Sequence, residues 1–203
     1  MTTSACLQMP QDKAAMIKKI ALPRLLLMLS VGWTHLIIFL TYMCIFFLFI
    51  PFLGASIPFS AIWYLPLLAL QSTLISVGVG MLLGSYALRF RDIQHLWTVA
   101  LQILFWLTPV MYAYRPSAPV LADAHMLLQN GLPHSIWRLF DIFIRFQPLS
   151  LLMHDARRAM LYPDILGVPS IVHMFLFTLA CVILFLFGAR VFLRRSAYFI
   201  QEY

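Results

Sequence analysis

The residues that could do chemistry are few and scattered. His154 and Asp155 are adjacent titratable groups of the kind general acid–base chemistry uses, but an isolated pair of this sort is expected at a surface. His35, His95, His125, His134, His154 and His173 occur singly, and no two lie four apart on a helix, whereas a metal site needs clustered ligands at defined spacing. Gly84-Ser85 falls inside an apolar stretch, without the sharp turn and the histidine and acid partners that a hydrolase nucleophile needs. No Gly-rich phosphate loop is present, so the chain is not expected to hydrolyse ATP by that route. The expectation is no catalytic residue, no metal and no cofactor of its own.

The elements that must position anything else are set by composition. Hydrophobic residues make up 63% of the chain and charged residues 10%, far below the quarter or so typical of soluble domains. From Leu25 to Leu88 there is no Lys, Arg, Asp or Glu, a run too long for one membrane span and long enough for two at about 20 residues each. Aromatic residues reach 15%, in keeping with rings at headgroup level. The net charge of +7 would suggest nucleic acid in a soluble protein; here the basic residues sit beside apolar runs, so membrane anchoring is the reading and no nucleic acid is expected. Cys6, Cys44 and Cys181 form no disulfide framework. The first 24 residues do not read as a signal peptide, because their basic residues come late.

The fold class is therefore all-α: a polytopic membrane helix bundle, one transmembrane domain over 1–203. Spans are expected at about 25–50, 62–88, 95–112 and 170–189, with an extracytoplasmic helical segment over 113–169. Pro51, Gly54 and Pro58 make an uncharged turn between the first two. Gly78, Gly80 and Gly84, with Ser76 and Ser85, give the second span a stripe of small residues that lets a neighbour approach closely. Within 113–169, Ser135 caps a piece running through SIWRLFDIFIRF, and Pro148 opens another through PLSLLMHDARRAMLY. These short charged pieces are either a re-entrant hairpin or surface-lying amphipathic helices, with the hairpin favoured.

Basic flanks orient the bundle. Lys13, Lys18, Lys19 and Arg24 precede span one, Arg89 and Arg91 follow span two, and Arg190, Arg194 and Arg195 follow span four, while the turn between spans one and two has none. Both termini are expected in the cytoplasm. No ionisable residue except His35 falls at mid-depth of a span, which argues against a proton-coupled pathway.

Three stretches in order resemble the membrane subunit of ABC-2 type exporters of polysaccharide. They are MIKKIALPRLLL (Met16–Leu27), LRFRDIQHLWTVALQILFWLTPVMY (Leu88–Tyr112) and QPLSLLMHDARR (Gln147–Arg158), with a tail FLRRSAYFIQEY in keeping. The middle stretch is the most specific: an Arg-Asp-Ile turn, an aromatic-rich helix, then Thr-Pro-Val. Gln147 stands where the family usually has Asn, and the stretch between Pro109 and Pro148 is longer than the family pattern. The family's N-terminal amphipathic helix and first two spans are expected upstream of the matching part, so the chain looks like a truncated gene, a mis-called start or half of a split subunit.

The resemblance implies a permease in a bacterial inner membrane, working as a homodimer with a separate cytoplasmic ABC ATPase that binds the ATP. Its substrate would be a lipid-linked glycan such as O-antigen, capsule or teichoic acid. Arg89, Arg91 and Asp92 would contact the ATPase or a diphosphate headgroup, whose oxygens two guanidiniums at this spacing can bind; the plainer role is topological anchoring. Phe105, Trp106 and Tyr112 would line a substrate path, or else serve as core and interface residues. Pro109, which removes a backbone hydrogen bond, would act as a gate together with Pro148 and Arg157. Rival readings are a drug or small-lipid exporter of the same class, a membrane-embedded transferase built on His154-Asp155, and a permease remnant without function.

Overall fold

In the computed structural model, residues 2–12, 24–53, 59–87, 90, 92–108, 142–143, 146–147, 148–160 and 169–198 are described. Among them there is no strand. The helices are α1 (Thr2–Asp12), α2 (Arg24–Phe49), α3 (Phe59–Ala87), α4 (Ile93–Leu107), α5 (Pro148–Met160) and α6 (Ile171–Tyr198), with a 3-10 turn at Ile50–Leu53 between α2 and α3. Three stretches are long and apolar enough to cross a bilayer: Leu25–Phe52, Trp63–Ala87 and Ile171–Arg195. The first two follow the expected spans to within two residues. The last runs six residues beyond the expected 189, because nothing between Arg190 and Arg195 breaks a helix, and long arginine side chains reach interfacial water from a helix end. Those arginines therefore stand on α6, not on a tail.

Several hydroxyl side chains inside these apolar helices satisfy themselves locally, as a lipid environment demands. In α2, Ser30 donates to the Leu27 carbonyl at 2.8 Å, Thr34 to Ser30 at 2.9 Å and Thr41 to Ile37 at 2.9 Å. Ser72, Thr73 and Ser85 do the same in α3.

Helix α3 is the centre of the bundle, and its small residues set the crossings. A Cβ added at Gly78 would sit 3.0 Å from the Phe185 Cα, and one at Gly188 would collide with the Gly78 carbonyl, so α3 and α6 touch backbone to backbone there. One at Gly80 would come 2.6 Å from the Cys6 Cβ of α1. This is the close approach that the small-residue stripe predicts. Cys6, Met28, Val31, Val77, Met81 and Phe192 form one buried cluster where α1, α2, α3 and α6 meet. A second joins Ile75, Phe177 and Cys181 to Leu151 and Leu152 of α5.

The register of the ties along α3 and α6 fixes their relative direction. Tyr64 donates to the Pro169 carbonyl at 3.1 Å, Gln71 to Thr178 at 2.8 Å, Gly78 packs on Gly188, and the Arg195 guanidinium lies 3.9 Å from the Tyr86 ring centroid. Both numbers rise together, so the two helices run parallel. The chain must cross back between Ala87 and Pro169, and α4 lies on that return. The expected third span coincides with α4 as far as Thr108, and its last residues lie outside the described ones. At 15 residues, α4 is about 22 Å long at 1.5 Å per residue, short of the roughly 30 Å apolar core.

Helix α1 is an addition to the expected architecture. Its Cys6 and Leu7 are 0% and 2% exposed, and burial pushes the Cys6 thiol up to about 11. Trp97 of α4 donates its indole N–H to Thr3 at 3.0 Å. The signal was present as the small residues Ser4-Ala5-Cys6, which suit a groove floored by Gly80 and Gly84, but nothing in their composition marks a buried helix.

Candidate functional site

The site is built where the end of α4 meets the start of α5. Thr108 closes α4, its hydroxyl donating back to the Leu104 carbonyl at 2.8 Å. Gln147 precedes Pro148, which opens α5 at the first helical position, where a missing N–H costs nothing. The buried Gln147 amide donates to the Thr108 oxygen at 3.0 Å, and its carbonyl accepts from Ser150 at 3.3 Å. A carboxamide needs both a donor and an acceptor when buried, and Gln147 has both. Two stretches separated by 39 residues are thereby joined through one buried polar contact.

Around this joint α4 stands off from the bundle. It has no buried residue. Leu101 and Leu104 face two largely apolar cavities. The larger, about 840 Å³, lies between Ser76 and Val79 of α3, Trp97 and Leu101 of α4, and Phe146 and Gln147 beside α5. The smaller, about 380 Å³, is lined by Phe39, Leu68, Phe105, Thr108 and Met153, among others.

Of the residues singled out from sequence, Phe105 and Trp106 are in edge contact, with ring centroids 6.0 Å apart and planes at 82°. Phe105 lines the smaller cavity and is 48% exposed; Trp106 is 72% exposed. Asp92 is exposed at the N-terminus of α4, where the helix dipole favours a carboxylate. The turn reaching it is held by Phe90 N–H to Tyr86 at 3.0 Å and Ile93 N–H to Phe90 at 3.3 Å. Pro148 is exposed, and Arg157 and Arg158 are half-buried in the last turn of α5, where cations suit the dipole. Arg89, Arg91, Pro109 and Tyr112 lie outside the described residues.

The expectation that His154-Asp155 is surface chemistry is corrected. Asp155 is 2% exposed, and its Oδ2 lies 3.2 Å from Nε2 of His173 on α6. The His173 ring stacks on Phe177, centroids 6.4 Å apart and planes at 3°. Burial pushes the Asp155 carboxyl above the usual carboxylate range, against the opposing pull of His173 and His154. Burial also pushes His154 down, helped by the charge of Arg158. Sequence reasoning missed His173 because its partner lies in another element 18 residues earlier. Among the described residues no group of three metal-ligating side chains occurs.

Residues 1–123, reaching from α1 past α4, match the profile of the ABC-2 type transporter family. The chain belongs to that family. Within it, the chain is 26% identical over 131 residues to an O-antigen export system permease protein RfbA of Klebsiella pneumoniae, covering 58% of this chain and 51% of the relative. A second protein of that name from the same organism is 24% identical over 132 residues, covering 59% and 51%. The chain thus spans about half the length of these relatives. Family membership and the three long apolar helices make it a multi-pass membrane protein of a transporter family.

Proposed function

We propose that this chain is the membrane-spanning permease subunit of an ATP-driven exporter of lipid-linked polysaccharide. The observation that carries the reading is the Gln147–Thr108 bond, which brings Thr108 at the end of α4 onto the start of the Gln-Pro helix in a chain related to O-antigen permeases. A joint between these stretches is what a shared path wall requires.

In this reading the chain does no covalent chemistry. A separate ABC ATPase supplies the energy from the cytoplasmic side, where Arg89, Arg91 and Asp92 follow α3 and the Arg195–Tyr86 contact lies. Two copies form the channel, with α4 at its wall. Helix α5 is one limb of a re-entrant pair on the outer side; Leu151 and Leu152 pack on the cluster of Ile75, Phe177 and Cys181, and Ile75 is halfway along the Trp63–Ala87 span, which supports this over a surface-lying helix.

The test is a mild-detergent pull-down of tagged protein from its native membrane, with glycan export measured in cells lacking the chain. Co-purification of an ABC ATPase in about one-to-one ratio and export restored by the gene support the permease. Export unaffected by deletion would refute it.

A further inference from the structure

Among the described residues, the Asp155–His173 pair is the one place where an acid and a base from two helices meet. It lies at the same end of the molecule as the Tyr64–Pro169 bond, beyond the Leu151 and Leu152 contacts that hold α5 against α3 and α6. A nearly inaccessible carboxylate in a membrane protein is expensive and marks a functional place by default. Asp155 offsets that cost through a partner that is itself 42% exposed. His173 is therefore the side of the pair in touch with the surroundings, and its ring is held flat against Phe177 of the second core cluster.

We propose that Asp155 and His173 are positioning residues for gating: a one-proton latch that seats α5 against α6 and tightens when the pair takes up a proton. The word gating rests on the permease reading; the latch itself rests on the geometry. Histidine is the side chain that changes charge between about pH 5 and 8. With the added proton on the imidazole both partners are ionised, and the hydrogen bond gains the attraction of an ion pair. Among the described residues, the titratable and charged groups facing the pair are His154, Arg157 and Arg158, all from α5. At that end α3 brings only Tyr64, and α2 carries no charged residue after His35. The lowered affinity of His154 for protons keeps it from competing for the added charge. Acid on the outer side then holds α5 down, and neutral conditions free it.

The test is hydrogen–deuterium exchange of α5 in the purified full chain at about pH 7.5 and 5.5, corrected for intrinsic exchange, where one unit of proton linkage gives about tenfold. Wild type is expected to gain protection in α5 by up to that factor on acidification, with no gain in His173→Gln or Asp155→Asn. To separate a lost latch from lost folding, the reversed pair Asp155→His with His173→Asp is included, and it should recover the response. Protection that does not depend on pH in wild type, or that rises equally in the single variants, overturns the latch. Export in cells shifted between the same pH values separates the two readings. Acid-slowed export in wild type and pH-indifferent export in His173→Gln support the gating role. Wild type that exports nothing while α5 still tightens would remove the permease reading and leave the latch standing.

Discussion

Gln147 donates to Thr108 across 3.0 Å, so the last turn of α4 and the first turn of α5 share one buried polar contact. Replacing Gln147 with Leu leaves Ser150 without its acceptor and Thr108 without its donor. The expected cost is about 1 kcal/mol, in the range for interhelical hydrogen bonds in membranes, read as a lower melting temperature in detergent together with reduced export. Gln147→Asn, one methylene shorter, should fall between the two. A Leu variant that melts and exports like wild type would show the joint to be idle.

The glycines differ in what a methyl group would meet. At Gly188 it strikes the Gly78 carbonyl and at Gly78 the backbone of Phe185, neither of which can turn aside; at Gly84 the nearest atom is the Cys6 carbonyl at 3.3 Å. Gly188→Ala should therefore destabilise by about 1–3 kcal/mol or more, as overpacked sites do, with loss of monodisperse protein. Gly84→Ala should be the mildest of the series. Size-exclusion profiles of the three alanine variants check the order.

Much of this arrangement was legible beforehand. The first two spans follow from an uncharged run broken by Pro51 and Pro58, and the Gly78–Gly84 stripe announces a close helix crossing because only small residues permit one. Other parts were not legible. Helix α1 is short and weakly apolar, and Cys6 is buried only because Gly80 and Gly84 leave room beneath it. Asp155 looks like a surface charge until α6 brings His173 to it, and a partner in another element leaves no local pattern. The parallel run of α3 and α6 is likewise a property of pairing, which no single helix carries.

Acid should weaken the fold through His154. Its protonation is disfavoured in the folded state by burial and by Arg158, so its contribution is present above the ordinary histidine value of 6.5 and is lost as pH falls through the lowered one. Asp155 acts with the other sign: its raised affinity favours the fold most below the ordinary 3.8, and that contribution fades as pH rises through the raised value. Melting temperature measured from about pH 7.5 downward should drop less steeply in His154→Gln than in wild type. Equal slopes would count against the assignment.

On the opposite end, the Arg195 guanidinium over Tyr86 ties α6 to the residues just before Arg89–Asp92. Tyr86→Phe keeps the ring face and should be silent. Tyr86→Leu removes it, with an expected loss of about 0.5–1 kcal/mol for an exposed cation–π contact. If the turn couples to an ATPase, Arg89→Gln with Arg91→Gln should cut export while membrane insertion stays normal. Unchanged export in that double variant would assign both arginines to anchoring alone.

Four ties spread along α3 and α6, from Tyr64 to Arg195, make that pair a fixed post: a slide along one helix would break all of them together. Helix α4 is hung differently, on a pin at each end, Trp97–Thr3 below and Thr108–Gln147 above, with two apolar cavities beside Leu101 and Leu104. A panel mounted in that way swings before its frame bends.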